Sequence, residues 1–277
     1  MHSSLVSSTQ SIIAKLGDNP VQRYLPPPEQ RVIGHRLAWG RVEEIGSPAY
    51  WSAQAWLWEL DEPDHYRLGR TLHEEVLACL LGGYGIPAEV GIAAYQRLRA
   101  LPRRELQQVD RCRQLLLEPL DVEGRRVRYR FANQKARYVA SAMSGLGQVS
   151  EDLGDVDLRD ALARLPGLGL KTASWVVRNW RGSDAISILD IHIIRASQGL
   201  GLFEREWQVA KDYRRMEQAY LKFCRAIDAR ASILDSVMWM TMRQLPQSIL
   251  VSINPLLKRK PKLNQRGRLD RSQLELI

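Results

Sequence analysis

Residues 165–173 read LPGLGLKTA, and no other stretch narrows the possible folds as much. Leu162, Leu165 and Leu168 before the glycines, and Ala173, Val176 and Val177 after them, recur at helical spacing. They can pack two short helices against each other. Gly167-Leu168-Gly169 then makes the sharp connection. Two glycines flanking one apolar residue suit a tight turn whose backbone N–H groups approach a phosphate closely. The following helix start adds its partial positive charge. Such a unit grips a nucleic-acid backbone without reading sequence.

The rest of the chain is compatible with that partner. It has 277 residues with 40 Lys+Arg against 31 Asp+Glu, a formal charge of +9. A hydrophobic content of 45% and a charged content of 26% exclude wholesale disorder. No apolar run is long enough to cross a membrane, and the start, MHSSLVSSTQSIIAK, lacks a signal-peptide cleavage pattern. A soluble, cytoplasmic or nucleoid-associated monomer is expected. Cys79, Cys112 and Cys224 match no zinc or iron–sulfur spacing, and the five histidines form no ligand cluster. Neither a metal nor a cofactor is expected. Positive charge is concentrated: residues 124–150 hold no acid but carry Arg125, Arg126, Arg128, Arg130, Lys135 and Arg137. A second basic run begins near Lys258. Such runs are solvated faces or frayed tails in many proteins, but two of them favour phosphate contacts.

Read along its length, the chain divides into an N-terminal arm (1–30), a small β element (31–65), a helical domain (66–250) and a basic tail (251–277). Short apolar runs around Gly46-Ser47-Pro48 predict two or three strands, with Trp39, Trp51, Trp56 and Trp58 packing mostly on a sheet face. Beyond about residue 66 the apolar period is helical throughout, interrupted at Gly82-Gly83, Gly85-Ile86-Pro87, Pro166-Gly167 and 181–183. The expected class is mainly α with a small antiparallel β element near the N-terminus.

LPGLGLKTA resembles the helix–hairpin–helix motif, and Asp190 lies 19 residues after Lys171 in LDIHIIR. Together they are similar to the helix–hairpin–helix (HhH-GPD) superfamily of DNA glycosylases. That resemblance implies two helical subdomains with an active-site cleft between them. It implies that Lys171 displaces a damaged base, forms a Schiff base with the sugar and permits β-elimination. It also implies that Asp190 stabilises the developing oxocarbenium ion or takes a proton from the lysine. Physical chemistry is consistent with these roles. The helix dipole and a nearby Trp175 both oppose a charged lysine, and a carboxylate held at a helix start stays ionised. The plainer readings are a phosphate-contacting or solvent-facing lysine and an N-cap aspartate, and the cap role is compatible with catalysis.

The resemblance assigns further roles. Gly167, Gly169 and His192 would hold the DNA backbone. Tyr84, the bulky residue among Gly82, Gly83 and Gly85, would wedge into the duplex as the damaged base flips out, unless it is a core aromatic. Trp175, Asp235 and Trp239 would line the base pocket, although Trp239 suits a core equally well. Arg195 is read as an internal ion-pair partner as readily as a DNA contact. Because no four-cysteine cluster follows the domain, the branch implied is the 8-oxoguanine type, a base-excision-repair enzyme acting as glycosylase and abasic lyase on double-stranded DNA. Two alternatives stand beside it: the same chemistry on another modified base, and a non-catalytic DNA-binding protein. No RNA-binding strand motif is visible.

Overall fold

Ser47 and Pro48 decide the first large element. The Ser47 side chain accepts the Tyr50 N–H at 3.0 Å, and proline stands in the first turn of a helix, where its missing N–H costs nothing. The segment expected to be strand is therefore helix α1, Pro48–Leu60. The tryptophans do not line a sheet face: Trp51 is wholly buried on α1, and Trp39 is buried just beyond strand β4. A Gly-Ser-Pro cluster reads as a turn unless the serine is recognised as a cap.

The computed structural model describes residues 9–34, 37–61, 66–83 and 85–258. Two short strands lie in the stretch expected to be the β element, and two longer ones lie earlier, within the stretch read as an arm. β1 (Gln10–Leu16) and β2 (Asn19–Leu25) form an antiparallel hairpin with Ile12 opposite Arg23 and Ala14 opposite Val21. Gln10 ties it down, donating to the carbonyls of Pro26 and Gly40 and accepting the Val42 N–H. β3 (Arg31–Ile33) and β4 (Leu37–Ala38) make a second, short antiparallel pair.

The chain forms two compact units. One, His65–Ile188, is continuous in sequence. It contains α2 (Leu72–Leu81), α3 (Ala88–Arg99), α4 (Arg103–Leu106) and α5 (Val109–Leu117). The hairpin of β5 (Leu120–Val122) and β6 (Arg125–Val127) follows, then α6 (Ala132–Gly145), α7 (Asp155–Leu162) and α8 (Leu170–Arg181). Leu72, Val76, Leu77 and Leu80 of α2, Ala136, Val139 and Met143 of α6, and Val176 and Val177 of α8 share its core. The stripes at helical spacing are what drive these helices together.

The second unit joins the N-terminal elements to the chain after Leu189. To β1–β4 and α1 it adds α9 (Ile191–Gly199), α10 (Val209–Ala226), α11 (Ala231–Gln244) and α12 (Gln247–Ile253). α1 packs on α11, and Ser52 Oγ donates to the Ile227 carbonyl at 2.8 Å. Among the described residues no helix is long and apolar enough to cross a membrane.

Candidate active site

In the continuous unit, α7 and α8 are the paired helices of the hairpin, and Gly167 lies in the connection between them. Its φ is +87°, a conformation that side chains avoid, and the Tyr138 ring occupies the space a Cβ would need. Tertiary packing thus demands a glycine here independently of any phosphate. Gly169, the N-cap of α8, is exposed, and the space where its Cβ would lie is open. Its backbone is the accessible part of the turn.

α8 is fixed at both ends by buried polar groups. Near its start, Arg159 of α7, 1% exposed, pairs with Asp160 at 2.5 Å and donates to Ser174 Oγ at 3.4 Å. Near its end, the wholly buried Glu75 of α2 accepts Asn179 Nδ2 at 2.8 Å. The same carboxylate takes the N–H groups of Leu68 and Gly69 at 2.8 and 2.7 Å. A buried carboxylate so fully bonded is tolerated, and it locks the helices that surround it.

Lys171 lies in the first turn of α8, and Trp175 follows one turn later, both half-buried. The Trp175 ring lies on Gly82, the residue that ends α2: a Cβ there would come within 2.9 Å of Cη2. Trp175 is therefore at the stem of the loop expected to supply the wedge. Tyr84 itself lies outside the described residues. On the far side of that loop, Arg130 reaches Gly85 and covers the face of Phe131.

The basic run divides. Arg125, Arg126, Arg128, Arg130 and Arg137 are exposed along β6 and the start of α6. Two of them, Arg130 and Arg137, line a hollow of about 280 Å³ together with Phe131, Asn133 and Gln134. Lys135, grouped with them by sequence, turns inward instead. Its Nζ donates to the carbonyls of Leu80 at 2.6 Å and Gly82 at 3.1 Å. The buried stripe Ala132, Ala136, Val139 of α6 borders this position, and that is the one sequence signal that could have revealed it.

In the other unit, Asp190 is the N-cap of α9, its Oδ1 accepting the N–H groups of His192 at 2.8 Å and Ile193 at 3.0 Å. The cap expected from sequence is thus present, and its second oxygen lies outside that pair of bonds. Burial lowers the pKa of Arg195, an effect the Asp190 charge opposes. His192 meets Trp239 edge to face at 6.5 Å between centroids, and Arg243 covers the Trp239 ring. Trp239 is 37% exposed, which does not fit the alternative of a core residue. Asp235, one turn before it, is only 2% exposed and bonds Ser236 Oγ. Tyr220, which the sequence reading did not single out, is buried in the electrostatic reach of Asp190 and Asp235. Burial first, then Cys224 and those carboxylates, raise its pKa well above the usual phenol range. Among the described residues no group of acidic, histidine and cysteine side chains could hold a metal ion.

A paired-helix hairpin with a lysine at the start of its second helix, followed by a capping aspartate, defines a helix–hairpin–helix DNA-repair glycosylase scaffold. The chain belongs to the 8-oxoguanine DNA glycosylase (Ogg-HhH) family, whose model matches residues 59–229. A curated relative, the 8-oxoguanine DNA glycosylase/AP lyase of Metallosphaera sedula, is 31% identical over 116 residues, 40% of this chain. The matched region spans 57% of that relative. Among solved structures, the 8-oxoguanine DNA glycosylase of Thermotoga maritima is 24% identical, with TM-score 0.47, over 61% of this chain and 78% of its own. That of Methanocaldococcus jannaschii is 21% identical, with TM-score 0.48, over 70% and 86%.

Proposed function

We propose that the protein excises 8-oxoguanine from double-stranded DNA and then cleaves the strand as an abasic lyase. The observation that carries this reading is the placement of Lys171, in the first turn of α8 directly after the hairpin, one turn from a tryptophan that packs on the stem of the 82–85 loop. In the proposed reaction the Lys171 amine attacks C1′ of the flipped nucleotide. The N-glycosidic bond breaks, and the base leaves with the bonding pair and takes up a proton. The nitrogen then gives up one proton, the C1′–O4′ bond breaks with O4′ taking up a proton, and a protonated Schiff base results. Removal of a C2′ proton then expels the 3′ phosphate. Asp190 supplies a fixed negative charge toward the oxocarbenium character that develops at C1′ and is the candidate proton acceptor.

The other assignments follow the same logic. Gly169 offers backbone N–H groups at the accessible part of the hairpin, Gly167 permits the turn, and His192 adds a donor at the start of α9. Trp175, Trp239 and Asp235 are proposed to read the base, and Tyr84 to fill the vacated stack. The exposed arginines between 125 and 137 supply salt-sensitive affinity. The reading extends to a cytoplasmic or nucleoid-associated monomer engaged in base excision repair.

Borohydride trapping tests the proposal. Wild type and Lys171→Gln are mixed with duplexes carrying 8-oxoguanine opposite each base, an abasic site, or no lesion. Wild type is expected to trap on 8-oxoguanine DNA, and the variant to lose trapping by ~10³-fold or more. Trapping on the abasic site alone would transfer the chemistry to another modified base. A wild type that binds DNA and traps nothing would leave a non-catalytic binding protein.

A further inference from the structure

Helix α10 carries five cations and two acids in mixed order, so its sequence shows no basic run. The fold separates the two signs. Glu217 is buried with Tyr213, Met216, Tyr220, Phe223 and Cys224 on the inner side of the helix. Asp212 is half-buried, and its carboxylate accepts the Gln208 N–H at 2.8 Å at the helix start. The outer side is left with one sign: Lys211, Arg215, Lys222 and Arg225 are exposed, with Gln218 between them. At about 100° and 1.5 Å per residue, these positions fall within an arc of about 80° and run about 21 Å along the helix. Among the described residues none of the four cations meets a carboxylate. Arg215 rests instead on the Trp207 ring at 4.2 Å, which leaves the edge of its guanidinium able to donate. Along this part of the chain, exposed acids stand only beyond the helix ends, at Glu204, Glu206 and Asp228, and Asp228 is held by Arg23 at 3.1 Å.

A helix face that is merely solvated mixes the signs, because like charges three or four residues apart oppose helix formation. Lys211 with Arg215, and Lys222 with Arg225, are such pairs, so the row is unfavourable until an anion meets it. The kind of anion follows from what else the face presents. A protein-binding face has an apolar or aromatic centre, whereas no large apolar residue of α10 is exposed. A polar face of one positive sign suits a phosphate backbone. Duplex DNA carries about one negative charge per 1.7 Å of its axis, so a straight row of this length meets several phosphates at once.

We propose that the outer face of α10 is a second DNA-backbone contact, in which Lys211, Arg215, Lys222 and Arg225 hold duplex phosphates whatever the bases. It stands on the unit that does not carry the 125–137 arginines. Contacts of this kind read no sequence, so they serve retention on DNA and not the chemistry at the lesion. The inference rests on DNA being the substrate.

The test compares full-length wild type with a fourfold variant, Lys211→Gln, Arg215→Gln, Lys222→Gln and Arg225→Gln together, and with Gln218→Lys. Affinity for an undamaged duplex and for an unreactive tetrahydrofuran-site duplex is measured from about 50 to about 200 mM salt, where phosphate contacts are progressively lost. The fourfold variant should flatten the slope of log K against log salt by about 3 on both duplexes and bind at least about tenfold more weakly at the lower salt. Gln218→Lys adds a cation in the middle of the row and should steepen the slope by about 1. Both should melt within about 3 °C of wild type. Borohydride trapping on abasic DNA at saturating protein should stay within about twofold, since no substituted group touches the reacting atoms. The photocrosslinker benzoylphenylalanine placed at position 218 should attach to plain duplex. An unchanged slope in the fourfold variant, a Gln218→Lys slope equal to wild type, or no cross-link from position 218 overturns the proposal. Wild type that binds neither duplex removes DNA as the substrate and this inference with it. Wild type that binds both, with the α10 variants indistinguishable from it, removes the α10 contact alone.

Discussion

Asp190 combines two properties in one carboxylate, and substitution can separate them. Oδ1 caps α9 through the N–H groups of His192 and Ile193, while the proposed reaction calls on the charge of the same carboxylate. Asparagine caps a helix about as well as aspartate but carries no charge. Asp190→Asn should therefore melt close to wild type and trap on abasic DNA far more slowly, by ~10²-fold or more. Asp190→Ala should lose the same activity and about 1 kcal/mol of stability besides. Equal activity in the asparagine variant would reduce Asp190 to a cap. The capping role was legible in the sequence because it spans only four residues, from Asp190 to Ile193. The surroundings of Asp235 and Tyr220 were not, because α9, α10 and α11 meet only in the folded unit.

The α7–α8 hairpin shows how an element can be read correctly for an incomplete reason. A glycine was expected at residue 167 for close phosphate approach, and the positive φ is indeed there. The nearer constraint is Tyr138 of α6, which fills the space above the Gly167 α-carbon. Gly167→Ala must adopt a strained backbone and displace an aromatic ring, so a loss of ~2–4 kcal/mol is expected in denaturant or thermal unfolding. An alanine variant that melts within about 0.5 kcal/mol of wild type would show that the turn relaxes freely. α1 teaches the converse. Its Ser47 cap and Pro48 were present in sequence as a helix start, yet the aromatic alternation after them also matches a strand. Burial of Trp51 on α1 resolves the ambiguity, since only packing distinguishes the two periods over so short a run.

Across the whole molecule, charge and connectivity matter most. The excess of +9 is uneven, and the exposed arginines of the 125–137 stretch form one described concentration of it, the C-terminal run beyond residue 258 lying outside the described residues. If Arg126 and Arg128 each meet a phosphate, replacing both with glutamine should flatten the slope of log K against log salt by about 2 for lesion and plain duplex alike. An unchanged slope would place the DNA elsewhere on the surface. Connectivity was the least legible property. One unit is a continuous run from His65 to Ile188, but the other draws on both ends of the chain, and no local pattern announces that α1 packs on α11. The sequence alone determined the hairpin, the lysine at the start of α8 and the aspartate cap of α9, because each depends on backbone preferences within a few neighbouring residues. Tertiary structure decided that Lys135 turns inward while the neighbouring arginines face solvent, that Tyr138 requires Gly167, and that Trp239 stays partly exposed. Each of those outcomes depends on which distant segment comes to lie alongside, and that follows from packing the whole core.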